Sequence, residues 1–172
     1  QGAHALNVAM IGAAPALAQA PRPVRVTHQS GKADLEMVRD GYRSAGVTAR
    51  VEPFLESMDT EMSDADVIVC RAGATTLAEL AAAGRPAILV PYPHAANDHQ
   101  RLNAAAFQKR GAAEVIDPDE LTAMLLSQRL LAITVDDERR LARADATRRL
   151  GTPDAAGTIV DRIEHLIASK ES

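Results

Sequence analysis

The stretch that most constrains the fold is residues 66–91, which reads DVIVCRAGATTLAELAAAGRPAILVP. Residues 67–70 have the apolar, β-branched composition of a buried strand, and residues 87–90 form a second run of this kind. Between them, residues 71–74 break the strand pattern and are followed by a helical pattern that ends at Gly84, with Pro86 after it. A helix between two parallel strands makes a right-handed crossover, so this stretch predicts a parallel α/β fold.

The start of the predicted helix is the first candidate site. A helix N-terminus presents free N–H groups and a partial positive charge, which suits a phosphate near Gly73, Ala74, Thr75 and Thr76. Small side chains at 72–74 allow a ligand to approach the backbone closely. Thr76 and Glu79 also have the spacing of a capping box, in which Thr76 caps the helix and Glu79 bonds back to its backbone. Spacing alone favours this structural role for Glu79.

The rest of the chain alternates in the same way. Further strands are predicted at residues 24–28, 48–52 and 113–116, and helices at 1–19, 32–45, 56–64, 100–110, 136–150 and from 152 onward. Asp117 and Pro118 are predicted to open a helix that carries the apolar residues Leu121, Met124, Leu125 and Leu130. The pattern predicts an α/β, Rossmann-like parallel sheet with helices on both faces. Because the alternation begins on a helix, we expect the first strand to be missing.

Composition excludes several classes of protein. With 172 residues, of which 47% are hydrophobic, the chain can bury the core of one domain. A net charge of −4 without a basic run argues against a nucleic-acid surface. There is no apolar run of about 18 residues and no signal-peptide pattern. The single cysteine, Cys70, is predicted to be a small buried hydrophobe, and the absence of a disulfide suits a reducing compartment.

Several short motifs together resemble one family. They are Gln1-Gly2-Ala3 with Leu6-Asn7, His28-Gln29-Ser30-Gly31, Pro53-Phe54-Leu55, Cys70-Arg71-Ala72-Gly73-Ala74, Glu79-Leu80-Ala81-Ala82-Ala83-Gly84, and the loop His94 to Gln100 with Asn103. This set resembles the C-terminal domain of the peptidoglycan lipid II-forming N-acetylglucosaminyltransferases, the MurG family. The resemblance covers nearly the whole chain.

The resemblance implies the C-terminal half of a two-domain GT-B glycosyltransferase, an enzyme that inverts the configuration at the anomeric carbon of the donor sugar. Residues 1–172 would be its UDP-GlcNAc-binding domain, truncated at its N-terminal edge. The N-terminal domain, which holds the lipid I acceptor and the general base, would be absent, so this chain alone would be inactive and would contain no catalytic residue. The full enzyme would work at the cytoplasmic face of the bacterial inner membrane and would associate with it only through the missing part. No cofactor or essential metal is implied.

The same resemblance implies roles for individual residues of the UDP-GlcNAc site. The backbone of Leu55 would pair with uracil, and Ala74, Thr75 and Thr76 would meet the sugar and the α-phosphate beside Gly73. Glu79 would accept hydrogen bonds from the ribose hydroxyls, a task that suits a group offering only acceptors. Gln100 would read the hydroxyls of the GlcNAc ring, with His99 next to it. Thr75 stands where the family usually has leucine.

Other candidate sites are weaker. His94, Asp98 and His99 are close in sequence, but they lack the i, i+4 histidine pair of zinc proteases, so a metal site is less favoured than sugar binding or a plain polar loop. His28 ends a strand and could face a ligand cleft, although a structural histidine bonded to backbone is the favoured interpretation.

Two other functions remain open. The chain could be a free-standing UDP-sugar transferase subunit that needs a membrane-bound partner, as in the dolichol-linked transferase of eukaryotes. It could also be a nucleotide-binding module without chemistry, since no residue is a convincing general base.

Overall fold

The computed structural model describes residues 3–95, 98–152 and 154–168, and these residues alternate between helices and strands as predicted. The elements in chain order are α1 (His4–Ala18), β1 (Arg25–Gln29), α2 (Leu35–Ala45), β2 (Thr48–Glu52), α3 (Met58–Asp64), β3 (Ile68–Cys70), α4 (Ala74–Ala83), β4 (Ala87–Leu89), α5 (His99–Lys109), β5 (Ala113–Val115), α6 (Ala123–Thr134), α7 (Asp137–Arg148) and α8 (Ala155–Ala168). All five predicted strands are present.

The strands are all paired in parallel, and they form two sheets. β1 pairs with β2 over their full length, from Arg25 opposite Thr48 to Gln29 opposite Glu52. The second sheet has the order β3-β4-β5, with β4 in the centre. Strand composition does not specify which edges pair, so this division could not be predicted from the sequence.

Helices cover both faces of the second sheet because alternate residues of β4 point in opposite directions. Ile88 and Val90 enter a core with residues of α1, α2 and α6, including the buried ring of Tyr42. Ala87 and Leu89 enter a smaller core formed with α4 and α5, which includes Leu80. The predicted α/β fold with helices on both faces is therefore confirmed.

The start of α6 differs from the prediction. Asp117 and Pro118 open only a 3-10 turn at Pro118–Glu120, and the helix begins three residues after this turn ends, at Ala123, because Thr122 caps its N-terminus. The Thr122 side chain accepts a hydrogen bond from the N–H of Leu125 at 3.1 Å. Met124 consequently lies on the exposed side of the first turn rather than in the core.

The predicted helix end at Gly84 is confirmed, and α2, predicted to end at residue 45, ends in the same way. Gly46 after α2 and Gly84 after α4 adopt left-handed backbone conformations, with φ of 73° and 62°.

The last helix, α8, leaves its apolar side uncovered. Ile159, Val160, Ile163, Leu166 and Ile167 are each more than half exposed. The helix predicted from the apolar periodicity is therefore present, but its apolar side is not buried by the described residues. Pro153, which falls within the helix predicted from residue 152 onward, lies outside the described residues.

Candidate functional site

The candidate site lies where β3 ends and α4 begins. Residues 71–73 connect the two elements, and Gly73 is the N-cap residue in an extended conformation, with φ −67° and ψ 145°. The first helical backbone bond runs from the N–H of Leu77 to the carbonyl of Gly73 at 2.9 Å. The N–H groups of Ala74, Thr75 and Thr76 therefore have no acceptor within the helix. Among the described residues no side chain caps this end.

The predicted capping box is wrong. Helix α4 starts two residues before Thr76, so Thr76 already lies in the first turn and makes no side-chain cap bond. Gly73 occupies the N-cap position in the extended conformation, so the helix begins before the threonine. Glu79 is exposed on the next turn and is not required as a cap partner.

Glu79 lies close to the end of β3. The pKa of the Cys70 thiol is raised to about 12, mainly by burial and further by the negative charge of Glu79. Thr76 and Glu79 are three residues apart on α4 and so share one side of the helix. The uncapped N-terminus of α4 and the Glu79 carboxylate therefore face one region, next to the carboxyl end of β3.

The loop after β4 is fastened to the loop after β3. Arg71 donates hydrogen bonds to the carbonyls of Val90 and Pro91, at 3.1 and 2.8 Å, and its guanidinium lies 5.7 Å from the centre of the Tyr92 ring. Asn103 on α5 donates to the carbonyl of Ala72 at 3.1 Å. These bonds hold the start of α5 beside the start of α4.

Gln100 is oriented by this loop. Its side-chain oxygen accepts a hydrogen bond from the N–H of Tyr92 at 2.9 Å. Because that oxygen is engaged, the amide NH2 is left as a donor for a ligand. His99 is exposed at the first position of α5, and Asp98 before it has a left-handed backbone with φ 54°. Ala96 and Asn97 lie outside the described residues.

Leu55 is placed at the end of the other sheet, after β2. Its side chain is buried, and its N–H donates to the side-chain oxygen of Gln29 at 2.9 Å. An open cavity of about 320 Å³ adjoins it and is lined in part by Arg50, Glu52 and the exposed ring of Phe54. Of the two backbone polar groups of Leu55, the carbonyl is thus the one that Gln29 leaves to a ligand.

Residues 1–159 match the family model described as the glycosyltransferase family 28 C-terminal domain. The chain belongs to this family. A relative from Anaeromyxobacter sp. (strain Fw109-5), a UDP-N-acetylglucosamine--N-acetylmuramyl-(pentapeptide) pyrophosphoryl-undecaprenol N-acetylglucosamine transferase, is 47% identical over 97% of this chain and 44% of its own length. A relative with the same name from Geobacter sulfurreducens is 47% identical over 94% of this chain and 44% of its own length.

Solved structures agree with this family 28 assignment. The crystal structure of Acinetobacter baumannii MurG superposes with a TM-score of 0.83 at 36% identity, covering 96% of this chain and 47% of that one. The spinosyn forosaminyltransferase SpnP, at 22% identity and a TM-score of 0.58 over 88% of this chain and 45% of that one, shares the fold. The present chain thus spans about 44% of the length of these curated relatives.

His28 is structural in this family 28 domain, but its partners are side chains rather than the backbone that was predicted. Its Nδ1 and Nε2 lie 2.9 Å from the Tyr42 hydroxyl and from Asn7 Oδ1. Asn7 in turn donates to the carbonyl of Ser30 and to Asp34, at 2.9 and 2.7 Å. Both ring nitrogens are therefore engaged within the protein.

The histidines of the 94–99 loop do not form a metal site in the part of the chain that the structure describes. No group of three histidine, cysteine, aspartate or glutamate side chains there is arranged to hold a metal ion. Among the described residues, none of the helices combines the length and the apolar character that a membrane span requires.

Two residues with a positioning role were missed from the sequence. The motif that contains Arg71 indicates no role for it, although a cation directly after a predicted buried strand is a usable signal. Gln29 occupies the N–H of Leu55 from 26 residues away, and no local pattern could have indicated that contact.

Proposed function

We propose that the chain is the donor-binding half of an inverting transferase that moves GlcNAc from UDP-GlcNAc to undecaprenyl-pyrophosphoryl-MurNAc-pentapeptide. The observation that carries the proposal is the uncapped N-terminus of α4 with Glu79 and Gln100 held beside it. The named relatives, which are 47% identical to this chain, support the choice of donor and acceptor.

The diphosphate of the donor binds at the start of α4. When the bond between the sugar and the phosphate breaks, negative charge grows on the departing diphosphate. The free N–H groups of Ala74, Thr75 and Thr76 and the positive end of the helix stabilise that charge. At Gly73, where an added Cβ would meet only the Thr76 hydroxyl oxygen at 3.8 Å, the diphosphate can approach the backbone. The N–H groups are already in place before the reaction, so little reorganisation is needed.

The remaining contacts select the nucleoside and the sugar. Glu79 accepts hydrogen bonds from the two ribose hydroxyls, and the carbonyl of Leu55 accepts the N–H of uracil while Gln29 keeps the Leu55 N–H. Gln100 donates its amide NH2 to a hydroxyl oxygen of GlcNAc, because its own oxygen is held by Tyr92. His99 lies next to Gln100 and lines the same sugar site.

The acceptor site and the general base belong to a part of the enzyme outside these 172 residues. The relatives are about twice as long as this chain, which supports a second domain that holds lipid I. The exposed apolar side of α8 is a suitable surface for packing against that domain. The enzyme acts at the cytoplasmic face of the inner membrane, where its lipid-linked acceptor is found, and it reaches that membrane through the second domain.

Glu79→Gln tests the donor site. The substitution removes a charge-assisted bond to ribose, so the Kd for UDP should rise by at least tenfold, since such bonds contribute about 1.5–3 kcal/mol. The melting temperature should stay unchanged, because Glu79 caps nothing in α4. Isothermal calorimetry with UDP and thermal melts measure the two quantities.

Glu164→Gln is the matched control, since Glu164 is also an exposed glutamate inside a helix but lies on α8. UDP should bind this variant like the parent chain. Equal UDP affinity in the parent and in Glu79→Gln would refute the donor-site assignment.

A further inference from the structure

A second charged cluster lies away from the donor site, around Glu114. This residue is on β5, the edge strand of the second sheet, opposite Ile88 of β4. Strand alternation places it on the face that elsewhere carries the apolar residues of the larger core. Its side chain is only 7% exposed. A carboxylate buried to this degree needs positively charged partners.

Three arginines supply that charge, which is more than one carboxylate requires. Arg139 and Arg143 each donate to Glu114 Oε1, at 2.7 and 2.8 Å, and Arg129 donates to Oε2 at 3.4 Å. Arg139 and Arg143 are four residues apart on α7 and so project from the same side of that helix. Three guanidinium groups against one carboxylate leave two positive charges unbalanced, in a chain whose net charge is −4.

These groups line an open cavity of about 320 Å³, called here the basic cavity and formed by Glu114, Arg129, Arg139 and Arg143 with Gln108 at its side. The Nε of Arg143 is fully buried and has no hydrogen-bond partner within the described residues. Buried donors are rarely left unpaired. The cluster therefore has spare charge and room for a small ligand.

We propose that the basic cavity binds a compact phosphate dianion. Guanidinium groups match the geometry of phosphate oxygens and bind them through paired N–H donors. The two charges of the dianion would balance the two that Glu114 leaves. This site is distinct from the donor site, because it is built on β5, α6 and α7 rather than at the start of α4.

Inorganic phosphate tests the proposal. It is titrated into the 172-residue chain at constant ionic strength set with chloride, and backbone amide shifts are followed by NMR. Saturable shifts are expected at Glu114 and at residues 139–143, separately from any at residues 73–76. Shifts confined to 73–76, or shifts that chloride reproduces, would overturn the proposal.

Arg129→Gln tests whether the NMR shifts caused by phosphate come from the basic cavity. Arg129 makes the longest of the three contacts and is 49% exposed, so the variant should keep its fold, which a thermal melt verifies. Its phosphate Kd at the cavity should rise about fivefold. Arg162→Gln on α8 is the matched exposed control and should leave the Kd unchanged. Equal affinity in Arg129→Gln and in the parent chain would overturn the proposal.

The phosphate could come from a free ligand or from a lipid headgroup. Co-sedimentation with vesicles that carry phosphatidate distinguishes these two sources. Soluble phosphate binding without co-sedimentation supports a free ligand. Co-sedimentation that Arg129→Gln weakens together with phosphate binding supports a lipid headgroup. Co-sedimentation that Arg129→Gln leaves unchanged, with no response to soluble phosphate, contradicts the site.

Discussion

Lowering the pH should destabilise the fold through His28. The ring is partly buried, and burial lowers its pKa from 6.5 to about 4. Asn7 Oδ1 can only accept, so Nε2 carries the proton and Nδ1 accepts from the Tyr42 hydroxyl. Protonating Nδ1 would leave the buried Tyr42 hydroxyl without this acceptor. The folded state therefore holds His28 neutral.

The size of the effect follows from the two pKa values. Between pH 6.5 and about 4, His28 takes up a proton in the unfolded chain but not in the folded one. The stability that neutral His28 allows is therefore complete above pH 6.5 and is lost as the pH falls towards 4. At about 1.4 kcal/mol for each pH unit, the free energy of unfolding should fall by about 3 kcal/mol across this window.

Urea denaturation of the parent chain and of His28→Gln at several pH values measures this loss. The variant should be less stable at neutral pH, because its network is broken, but its free energy of unfolding should depend less on pH. Above pH 6.5, where His28 is neutral in both states, the two proteins should have parallel profiles. Hydrogen bonds from Arg22 and then Arg140 lower the pKa of Asp137 from 3.8 to about 2, so its stabilising effect is lost only as the pH falls below 3.8, outside this window. Equal slopes in both proteins between pH 6.5 and 4 would refute the reasoning.

Two further outcomes are expected. Leu80→Ala should lower the free energy of unfolding by about 3 kcal/mol, because Leu80 is 0% exposed, whereas Met124→Ala at a 69% exposed position should change it by less than about 0.5 kcal/mol in urea denaturation. Equal losses would mean that Met124 is buried after all. Cys70 should react with iodoacetamide about a thousandfold more slowly in the folded than in the unfolded chain, because burial raises its pKa from 9.0 to about 12. Mass spectrometry follows the reaction, and rapid labelling of the folded chain would contradict the assigned pKa.

The sequence alone determined the local features of this protein. The alternation of strands and helices, the glycine ends of α2 and α4 and the small residues at 72–74 depend on properties of neighbouring residues, namely apolar periodicity and permitted backbone angles. The set of motifs also led to the family, because each motif is a short run that can be recognised without knowing the path of the chain. The residues of the candidate donor site were named from this resemblance.

The tertiary structure decided everything that depends on residues far apart in the chain. It divided the five strands into two sheets, engaged the N–H of Leu55 with Gln29, and surrounded Glu114 with arginines from two helices. It also removed the capping role of Glu79, because the helix began at Ala74 and left no cap for that carboxylate to complete. Each of these outcomes depends on which groups the folded chain brings within hydrogen-bonding distance, and one-dimensional spacing carries no information about contacts between distant segments.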